Sequence, residues 1–470
     1  MALPVNPEQV QITELRPFSQ VEVENLAESN NPNLRVIASQ VDQAKSNLLA
    51  QITLWYPSLN LESASFPAYT TGRARSVSAN GNIANSGTDR WDFGASLKAQ
   101  WSLINPKRVP TIAVARDQFE KAKFQYVIAR RDLRLQTASA YFDLQQSDDQ
   151  VRIGKESVRA SIISLRDSKA RFQAGVSTKL EVLEAETQLS RDQQLLTNSL
   201  AAQAIARRTL AALLDLPQNV TPTAKDAAKV FGFWQLNLEE SIIAAYAFRE
   251  ELDQALLDIS IANSQGNAAL GAIQPLLNIF TSFSTKARNG NETALVTAEG
   301  SSYETILGAS LSWSLFDGGA AAAQFRQKKQ LAQEYISAFA QRRNSIRQEV
   351  ETSFYELEKN NRNIVTTSSE VVSARESLRL ARLRFQAGVT TQREVVDNQR
   401  DLTQAEVRFS NSITDYNKRL AELSRRTGIN QVTGCVAKSL PSTNSPGASD
   451  VPVEPIPLVP ACQAAALGAI

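Results

Sequence analysis

The chain has 470 residues, and its 50 basic and 48 acidic side chains give a net charge of +2 at pH 7. A balance this close to neutral does not favour nucleic acid or an anionic surface as the partner. Histidine is absent from the sequence, so the commonest general base and metal ligand is missing. The sequence also shows no nucleophile–base set and no phosphate-binding loop. We therefore expect no metal site, no cofactor and no enzymatic activity.

The two cysteines, Cys435 and Cys462, are too few for a Cys-rich metal site. They form one disulfide if the compartment is oxidising, or stay unpaired, and their spacing leaves both alternatives open. The Pro/Ser-rich tail at 428–470 is predicted to be largely irregular. No apolar run is long enough for a membrane helix, and residues 1–30 lack the pattern of a signal peptide. We expect Met1 to have been added to a mature chain.

In chain order, each half begins with a helix of moderate length, predicted at about 33–53 and again at about 238–267. Proline then ends the helix and favours extended chain, at Pro57 and Pro275. Loops rich in Gly, Asn and Ser are predicted to follow, at 72–90 and 286–302.

A strand with strict alternation of apolar and polar residues follows each loop. The apolar positions are Trp91, Phe93, Ala95, Leu97, Ala99, Trp101 and Leu103, and then Tyr303, Thr305, Leu307, Ala309, Leu311, Trp313 and Leu315. A period of two places one face in apolar surroundings and the other in water. Aromatic residues near both ends (Trp91, Trp101, Tyr303 and Trp313) are typical of a membrane barrel strand with interfacial girdles.

Two very long helices come next, at about 107–172 and 319–385. Each would span about 100 Å at 1.5 Å per residue. Apolar residues recur every seventh position in them, as in Val350, Leu357, Ile364, Val371 and Leu378. This spacing predicts a coiled-coil seam that other long helices must cover.

The phrase Arg-Phe-Gln-Ala-Gly-Val occurs at 171–176 and again at 384–389. Gly175 and Gly388 can adopt the left-handed conformation that ends a helix. Thr178 and Thr391 are predicted N-caps of returning helices at about 179–215 and 392–427, with Glu181 and Glu394 completing capping boxes. The duplication predicts a first repeat at 30–215, a connector at 216–237 and a second repeat at 238–427.

Each chain thus offers four membrane strands, which are too few to close a barrel. Open sheet edges are not tolerated in hydrocarbon, so several chains must share one barrel. Two chains would supply eight strands, and three would supply twelve with room for a passage.

These repeated motifs and their order resemble the TolC family of trimeric outer-membrane efflux ducts. The resemblance implies a mixed α and β membrane protein, in which a homotrimer forms a 12-stranded β-barrel continuous with a long α-helical coiled-coil barrel in the periplasm. The connector and the chain ends would form a region of short mixed elements. The implied function is the outer-membrane exit duct of a tripartite efflux or type I secretion system. Its implied partners are a periplasmic adaptor, an inner-membrane pump and outer-membrane lipid.

The resemblance also assigns residues. The turns that adaptors dock against would be Ala174, Gly175, Val176, Ala387, Gly388 and Val389. The periplasmic constriction would include Glu394, Asp397 and Glu181, with Phe385 and Thr390 where relatives carry Tyr and Arg, and with Arg393 as a substitute basic partner. The alternatives are that both glutamates only stabilise helix N-termini, that Asp397 is a solvated surface residue and that Phe385 is a packing anchor.

A competing function is a periplasmic coiled-coil adaptor or tether without its own pore. Long helical hairpins suit either function. The two alternating, aromatic-flanked strands favour the duct, since a tether has no need of them.

Overall fold

The computed structural model describes residues 5–77, 80–81, 83–292, 300–430 and 432–434. The helices are α1 (Gln20–Asn30), α2 (Pro32–Ile52), α3 (Arg108–Gln173), α4 (Lys179–Leu213), α5 (Leu238–Phe248), α6 (Glu250–Leu270), α7 (Ala320–Gln386) and α8 (Gln392–Thr427). The strands are β1 (Glu14–Phe18), β2 (Ser58–Val77), β3 (Ile83–Ile104), β4 (Val220–Ala224), β5 (Gly232–Trp234), β6 (Leu276–Glu292), β7 (Gly300–Ser312) and β8 (Val432–Gly434). Cys435, Cys462 and the tail after Gly434 lie outside the described residues, so the disulfide alternatives and the irregular tail stay predictions.

The chain divides into two compact units. The sheet unit comprises Gln40–Lys123 and Gln254–Phe339, and the helical unit comprises the described residues of Met1–Ser39, Phe124–Asp253 and Ala340–Ile470. Each unit takes residues from both halves of the chain. The sequence repeat therefore does not correspond to two independent compact domains.

The duplicated sequence produces a duplicated order of elements, which begins with a short helix in each half. Ser19 and Asn237 cap α1 and α5, and each accepts a hydrogen bond from the backbone N–H of a glutamate three residues later, whose carboxylate bonds back to the cap N–H. The structural repeat therefore starts at Gln20, before the boundary at residue 30 that the sequence motifs predict.

A break separates the short helix from the next helix in both halves. Asn31, between α1 and α2, is followed by Pro32, which disfavours helical backbone in the residue before it. Arg249, between α5 and α6, has extended backbone with φ −95° and ψ 115°. The single helix predicted at about 238–267 is therefore wrong, because this break contains neither proline nor glycine to mark it.

The four long strands form one antiparallel sheet in the order β2-β3-β6-β7. Its apolar face carries Leu59, Leu61, Tyr69, Trp91, Phe93, Leu97, Trp101, Ile279, Phe283, Tyr303, Leu307 and Leu311. Its polar face carries Asn60, Glu62, Arg90, Asp92, Ser96, Lys98, Ser102, Lys286, Arg288, Glu304 and Ser310. The predicted alternation is confirmed in both halves.

The strands extend well into the segments predicted as loops. β2 continues to Val77 and β3 already starts at Ile83, while β6 continues to Glu292 and β7 starts at Gly300. The loop boundaries at 72–90 and 286–302 are wrong because a backbone ladder can continue where the apolar alternation has stopped. β7 ends at Ser312, so Trp313 lies just beyond the strand.

The long helices agree with the sequence prediction to within one residue at each end. α3 has 66 residues and α7 has 67. The five heptad positions named above are all buried in α7. Their exposed fractions lie between 0% and 7%, for Val350, Leu357, Ile364, Val371 and Leu378. The heptad spacing therefore identifies the packed side of α7 correctly.

Short strands from the connector pair with the two chain ends. β4 pairs in parallel with β1, and β5 pairs antiparallel with β8. The connector thus forms short paired strands with both chain ends, and the region of short mixed elements stays a prediction. A buried cluster lies beside it, where Tyr141 donates a hydrogen bond from its hydroxyl to the Phe18 carbonyl at 3.0 Å.

Candidate functional site

Both turns between the long and returning helices are closed by the same backbone geometry. Gly175 and Gly388 have φ of +75° and +72°, a left-handed conformation that glycine adopts without strain. The Val176 N–H donates to the Arg171 carbonyl at 3.0 Å, and the Val389 N–H donates to the Arg384 carbonyl at 2.9 Å. Each bond spans five residues, as in a Schellman C-cap. The predicted role of both glycines is confirmed.

The two valines of these turns are strongly exposed. Val176 is 66% exposed and Val389 is 69% exposed. Single exposed apolar side chains are normal on protein surfaces, so this exposure alone does not identify a contact with another protein. The docking assignment of these turns stays a prediction.

The predicted capping boxes do not form at the returning helices. Thr178 and Thr391 do occupy the N-cap positions, but neither side chain accepts a capping hydrogen bond. The Glu394 carboxylate is instead bound by the Arg384 guanidinium at 2.7 Å and by the Thr390 hydroxyl. A charged partner at close range thus replaces the N-cap backbone N–H that the capping-box prediction gave to Glu394.

An arginine of the first turn contacts an aromatic ring of the second turn. The guanidinium carbon of Arg171 lies 4.3 Å from the centroid of the Phe385 ring. Phe385 in turn packs against the buried cluster of Leu378, Ala381 and Val395. Phe385 is therefore a packing anchor that also joins the two turns by a cation–π contact. The sequence analysis missed Arg171, since its partner lies 214 positions away in the other repeat.

The acidic residues after the second turn have arginine partners in the same helix or hairpin. Asp397 contacts Arg400 at 3.2 Å and Arg393 at 3.8 Å. Arg393 therefore pairs with Asp397 and not with Glu181, for which no ion pair occurs within the described residues. Glu394 and Asp397 keep partly exposed side chains, at 32% and 42%. The sequence analysis did not identify Arg400, whose position three residues after Asp397 is the signal that could have revealed it.

The girdle residues occupy equivalent places in the two strand pairs. Trp101 donates its indole N–H to the Trp55 carbonyl, and Trp313 donates its indole N–H to the Ile273 carbonyl, both at 3.0 Å. Each carbonyl lies in the 3-10 turn that precedes its strand pair. The Trp91 ring packs against the Tyr69 ring in a tilted arrangement, with ring centroids 5.0 Å apart. Trp91 and Tyr303 are 51% and 81% exposed on the apolar face. Exposed rings with one tethered polar atom are characteristic of interfacial aromatics.

Within the described residues, no cluster of three or more Cys, His, Asp or Glu side chains could hold a metal ion. A search of the helices in the same part of the chain finds none that is both long and apolar enough to cross a membrane.

Comparison with known families gives a match over most of the chain. The model of the outer membrane efflux protein family matches residues 23–215 and 243–428. The chain belongs to this family. The two matched segments begin and end close to the two structural repeats, so the family is recognised through both copies.

Individual relatives are distant. The chain is 25% identical over 182 residues to the outer membrane protein TolC of Vibrio cholerae, an alignment that covers 38% of this chain and 39% of that protein. The alignment thus spans well under half the length of this curated relative. Among solved structures, the CusC channel superposes with a TM-score of 0.72 at 18% identity, covering 92% of this chain and 99% of CusC. The outer membrane protein VceC of Vibrio cholerae superposes with a TM-score of 0.69 at 15% identity, and the match covers 87% of this chain and 96% of VceC. These structures share the fold of the chain.

Proposed function

We propose that this protein is the outer-membrane exit duct of a tripartite export system, formed by three copies of the chain. The observation that carries the proposal is the sheet, which has one apolar, aromatic-flanked face and two unpaired edges, β2 and β7. An unpaired backbone edge in hydrocarbon costs several kcal/mol per group, so β2 of one copy would pair with β7 of the next. Three copies supply twelve strands, which leave a water-filled passage lined by the polar face.

The helices would continue this passage on the periplasmic side. The long hairpins α3–α4 and α7–α8 bury seams that recur every seven residues, as neighbouring helices of a closed helical cylinder do. In this arrangement the 30–215 and 238–427 repeats supply equivalent walls. The 216–237 connector and the chain ends form a belt around them.

The turns are the proposed contact with the rest of the system. A periplasmic adaptor would dock on Ala174–Val176 and Ala387–Val389, where exposed valines follow the left-handed glycines. An inner-membrane pump would then pass exported molecules into the duct. Gly175→Asp and Gly388→Asp should abolish cross-linking to an adaptor while assembly persists, and unchanged cross-linking would refute this docking site. The matched control is Gly72→Asp, where a Cβ atom would meet open space.

The second turn is the proposed constriction. Glu394 and Asp397 would face the axis together with Glu181, Phe385, Thr390 and Arg393. In a trimer, Glu394 and Asp397 together contribute six carboxylates, which favour the passage of cations over small anions. Arg384 and Arg400 reduce this charge, so we expect moderate selectivity that rises when Arg400 is replaced by Gln.

The test of the duct is conductance. Protein reconstituted in planar bilayers should form steady, water-filled channels, and Glu394→Ala with Asp397→Ala should lower their cation selectivity. Glu376→Ala, which removes an exposed carboxylate paired with Arg379, is the matched control. A tether without a pore would give no conductance and would need no detergent, and that result would replace the duct by the alternative function.

A further inference from the structure

Within the described residues, the outer end of the β2–β3 hairpin extends beyond the neighbouring strand β6. Pairing of β3 with β6 ends at Thr88 opposite Glu292, whereas pairing of β3 with β2 continues to Ile83 opposite Val77. Residues 72–77 and 83–87 therefore form a two-stranded ribbon, and the described residues add no third strand to it. A lone two-stranded ribbon is marginally stable in water, so an additional contact is expected to hold it.

Two arginines lie on this ribbon, on the same side as the apolar face of the sheet. The register places Tyr69 opposite Trp91, Arg73 opposite Gly87 and Arg75 opposite Asn85. Side chains two residues apart point to the same face of a strand. Arg73 and Arg75 therefore continue the row of Tyr69, farther from the helices, on the face that carries the girdle aromatics.

The spacing of the aromatics fixes the level of these arginines. Trp91 and Trp101 are ten residues apart on β3, or about 33 Å along the strand, which a tilt of roughly 40° reduces to about 25 Å, the height of an outer-membrane apolar band. With the same tilt, Arg73 lies about 10 Å and Arg75 about 15 Å beyond the Tyr69–Trp91 girdle. Long arginine side chains can reach back toward the headgroup layer from these positions.

Charge pairing differs between the two faces. On the polar face, Asp92 is paired with Arg90 at 3.0 Å and Arg288 at 3.1 Å, and Lys98 is paired with Glu62 at 2.6 Å. Arg73 and Arg75 are exposed and have no ion pair with any residue that the structure describes.

The nearest acid on the arginines' own face is Asp89. It lies opposite Thr71, and its carboxylate accepts a hydrogen bond from the Tyr69 hydroxyl. From residue 76 to residue 88 the chain has no charged side chain. Neither of these two cations therefore forms an ion pair with the described chain.

We propose that Arg73 and Arg75 bind the phosphate groups of an anionic lipid in the outer leaflet of the surrounding membrane. Guanidinium groups bind phosphate oxygens in a bidentate fork, and two of them spaced two residues apart on a strand can hold two phosphates or bracket one. The inference rests on the proposed function in one respect, that the apolar face contacts lipid.

The experiment counts lipids bound to the detergent-purified full chain by native mass spectrometry. The probes are lipid A, which carries phosphates, the same lipid after dephosphorylation, and inorganic phosphate. The double variant Arg73→Gln with Arg75→Gln should weaken lipid A binding about 30-fold. This factor follows because each cation near an anionic surface contributes about 1 kcal/mol and the variant removes two. Arg73→Lys with Arg75→Lys should retain most of the binding. Lys286→Gln with Arg288→Gln, two cations at the same spacing on the polar face, is the matched control and should leave binding unchanged.

Three results would overturn the proposal: unchanged lipid A binding in the Gln variant, an equal loss in the polar-face control, or equal binding of the dephosphorylated lipid. Displacement of lipid A by millimolar inorganic phosphate would also overturn it, because the site would then recognise free phosphate. Heat-modifiable migration on gels confirms that each variant is assembled. Wild-type channels that conduct but show no preference for phosphorylated lipid would reject this inference alone, whereas protein that forms no channels would reject the duct.

Discussion

The end of each returning helix meets a helix break, and the two junctions use different chemistry. At the first junction the break between α1 and α2 is held by the neutral side chain of Asn31, which is 4% exposed. Its amide donates to the Leu213 carbonyl at the end of α4, at 3.0 Å. Its oxygen accepts the backbone N–H groups of Asn33 and Leu34 at the start of α2. One uncharged residue thus satisfies two helix ends.

At the second junction the break between α5 and α6 is held by a buried ionic network. Arg249, with a side chain 1% exposed, donates to Glu251 at 3.0 Å and to Glu349 at 2.7 Å. Arg425, near the end of α8, donates to Glu251 at 2.8 Å and to Asp132 at 2.6 Å. The network therefore connects α3, α6, α7 and α8, whereas Asn31 connects only α2 and α4.

The difference shows that a repeated backbone does not require repeated side-chain chemistry. A buried ion pair is strongly destabilising to break, since the remaining charge is left without a partner, while a neutral cap costs less to lose. The second junction should therefore depend much more on its side chains and on pH than the first.

The largest expected effect is at Arg249. Arg249→Ala leaves Glu251 buried beside one fewer cation, and the free energy of unfolding should fall by about 3–5 kcal/mol. Urea titration followed by tryptophan fluorescence measures the change. Arg379→Ala, whose partner Glu376 is exposed, is the control and should cost far less than Arg249→Ala, because exposed ion pairs contribute little to stability. Equal losses in the two variants would contradict the importance of the network.

The second junction should also respond to acid. Burial alone would raise the pKa of Glu251, but hydrogen bonds and charge from Arg249, with Arg425, outweigh it and lower the pKa to about 2. A lowered folded-state pKa stabilises the protein above the ordinary value of 4.5, and this contribution is lost as pH falls through about 2. The free energy of unfolding should therefore decrease by about 3 kcal/mol over this window.

Urea titrations repeated from pH 6 to pH 2 measure this loss. The Glu251→Gln variant should show a shallower decrease than the wild-type protein. Parallel pH profiles would contradict the assignment of the acid response to Glu251.

The first junction should be less sensitive to side-chain replacement and to pH than the second. Asn31→Ala removes the cap of α2 and the bond to the Leu213 carbonyl, so we expect a loss of about 1–2 kcal/mol that is independent of pH. Asn31→Ser keeps a neutral oxygen acceptor at the N-cap and removes the amide donor, so it should cost less than Asn31→Ala. A loss at Asn31 as large as that at Arg249 would remove the distinction between the junctions.

The turns show the same divergence on a smaller scale. Arg171 and Arg384 occupy equivalent positions, yet Arg171 contacts Phe385 of the other turn and Arg384 pairs with Glu394 of its own. Arg171→Ala should cost about 0.5–1 kcal/mol and increase hydrogen exchange at both turns. Arg384→Ala should increase hydrogen exchange at the second turn only. Loss of protection at one turn alone in Arg171→Ala would contradict the bridging role.

Residue patterns along the chain predict its regular parts well. The long helices were predicted to within one residue because heptad spacing and a terminal glycine are local signals. The break at Arg249 could not be predicted, since it depends on Glu349 and on a network from distant segments. The end of β2 was placed too early and the start of β3 too late, because β2 and β3 stay paired through residues with no apolar alternation. At the turns, the glycines were predictable, but the partners of Glu394 depend on side-chain geometry.

The most direct test of the proposed duct is the mass of the assembled particle. Light scattering in detergent, corrected for the bound detergent, should give three times the 51.5 kDa of the chain, as required for twelve strands to close. A particle of 51.5 kDa that stays in solution without detergent would contradict the shared barrel and the duct with it.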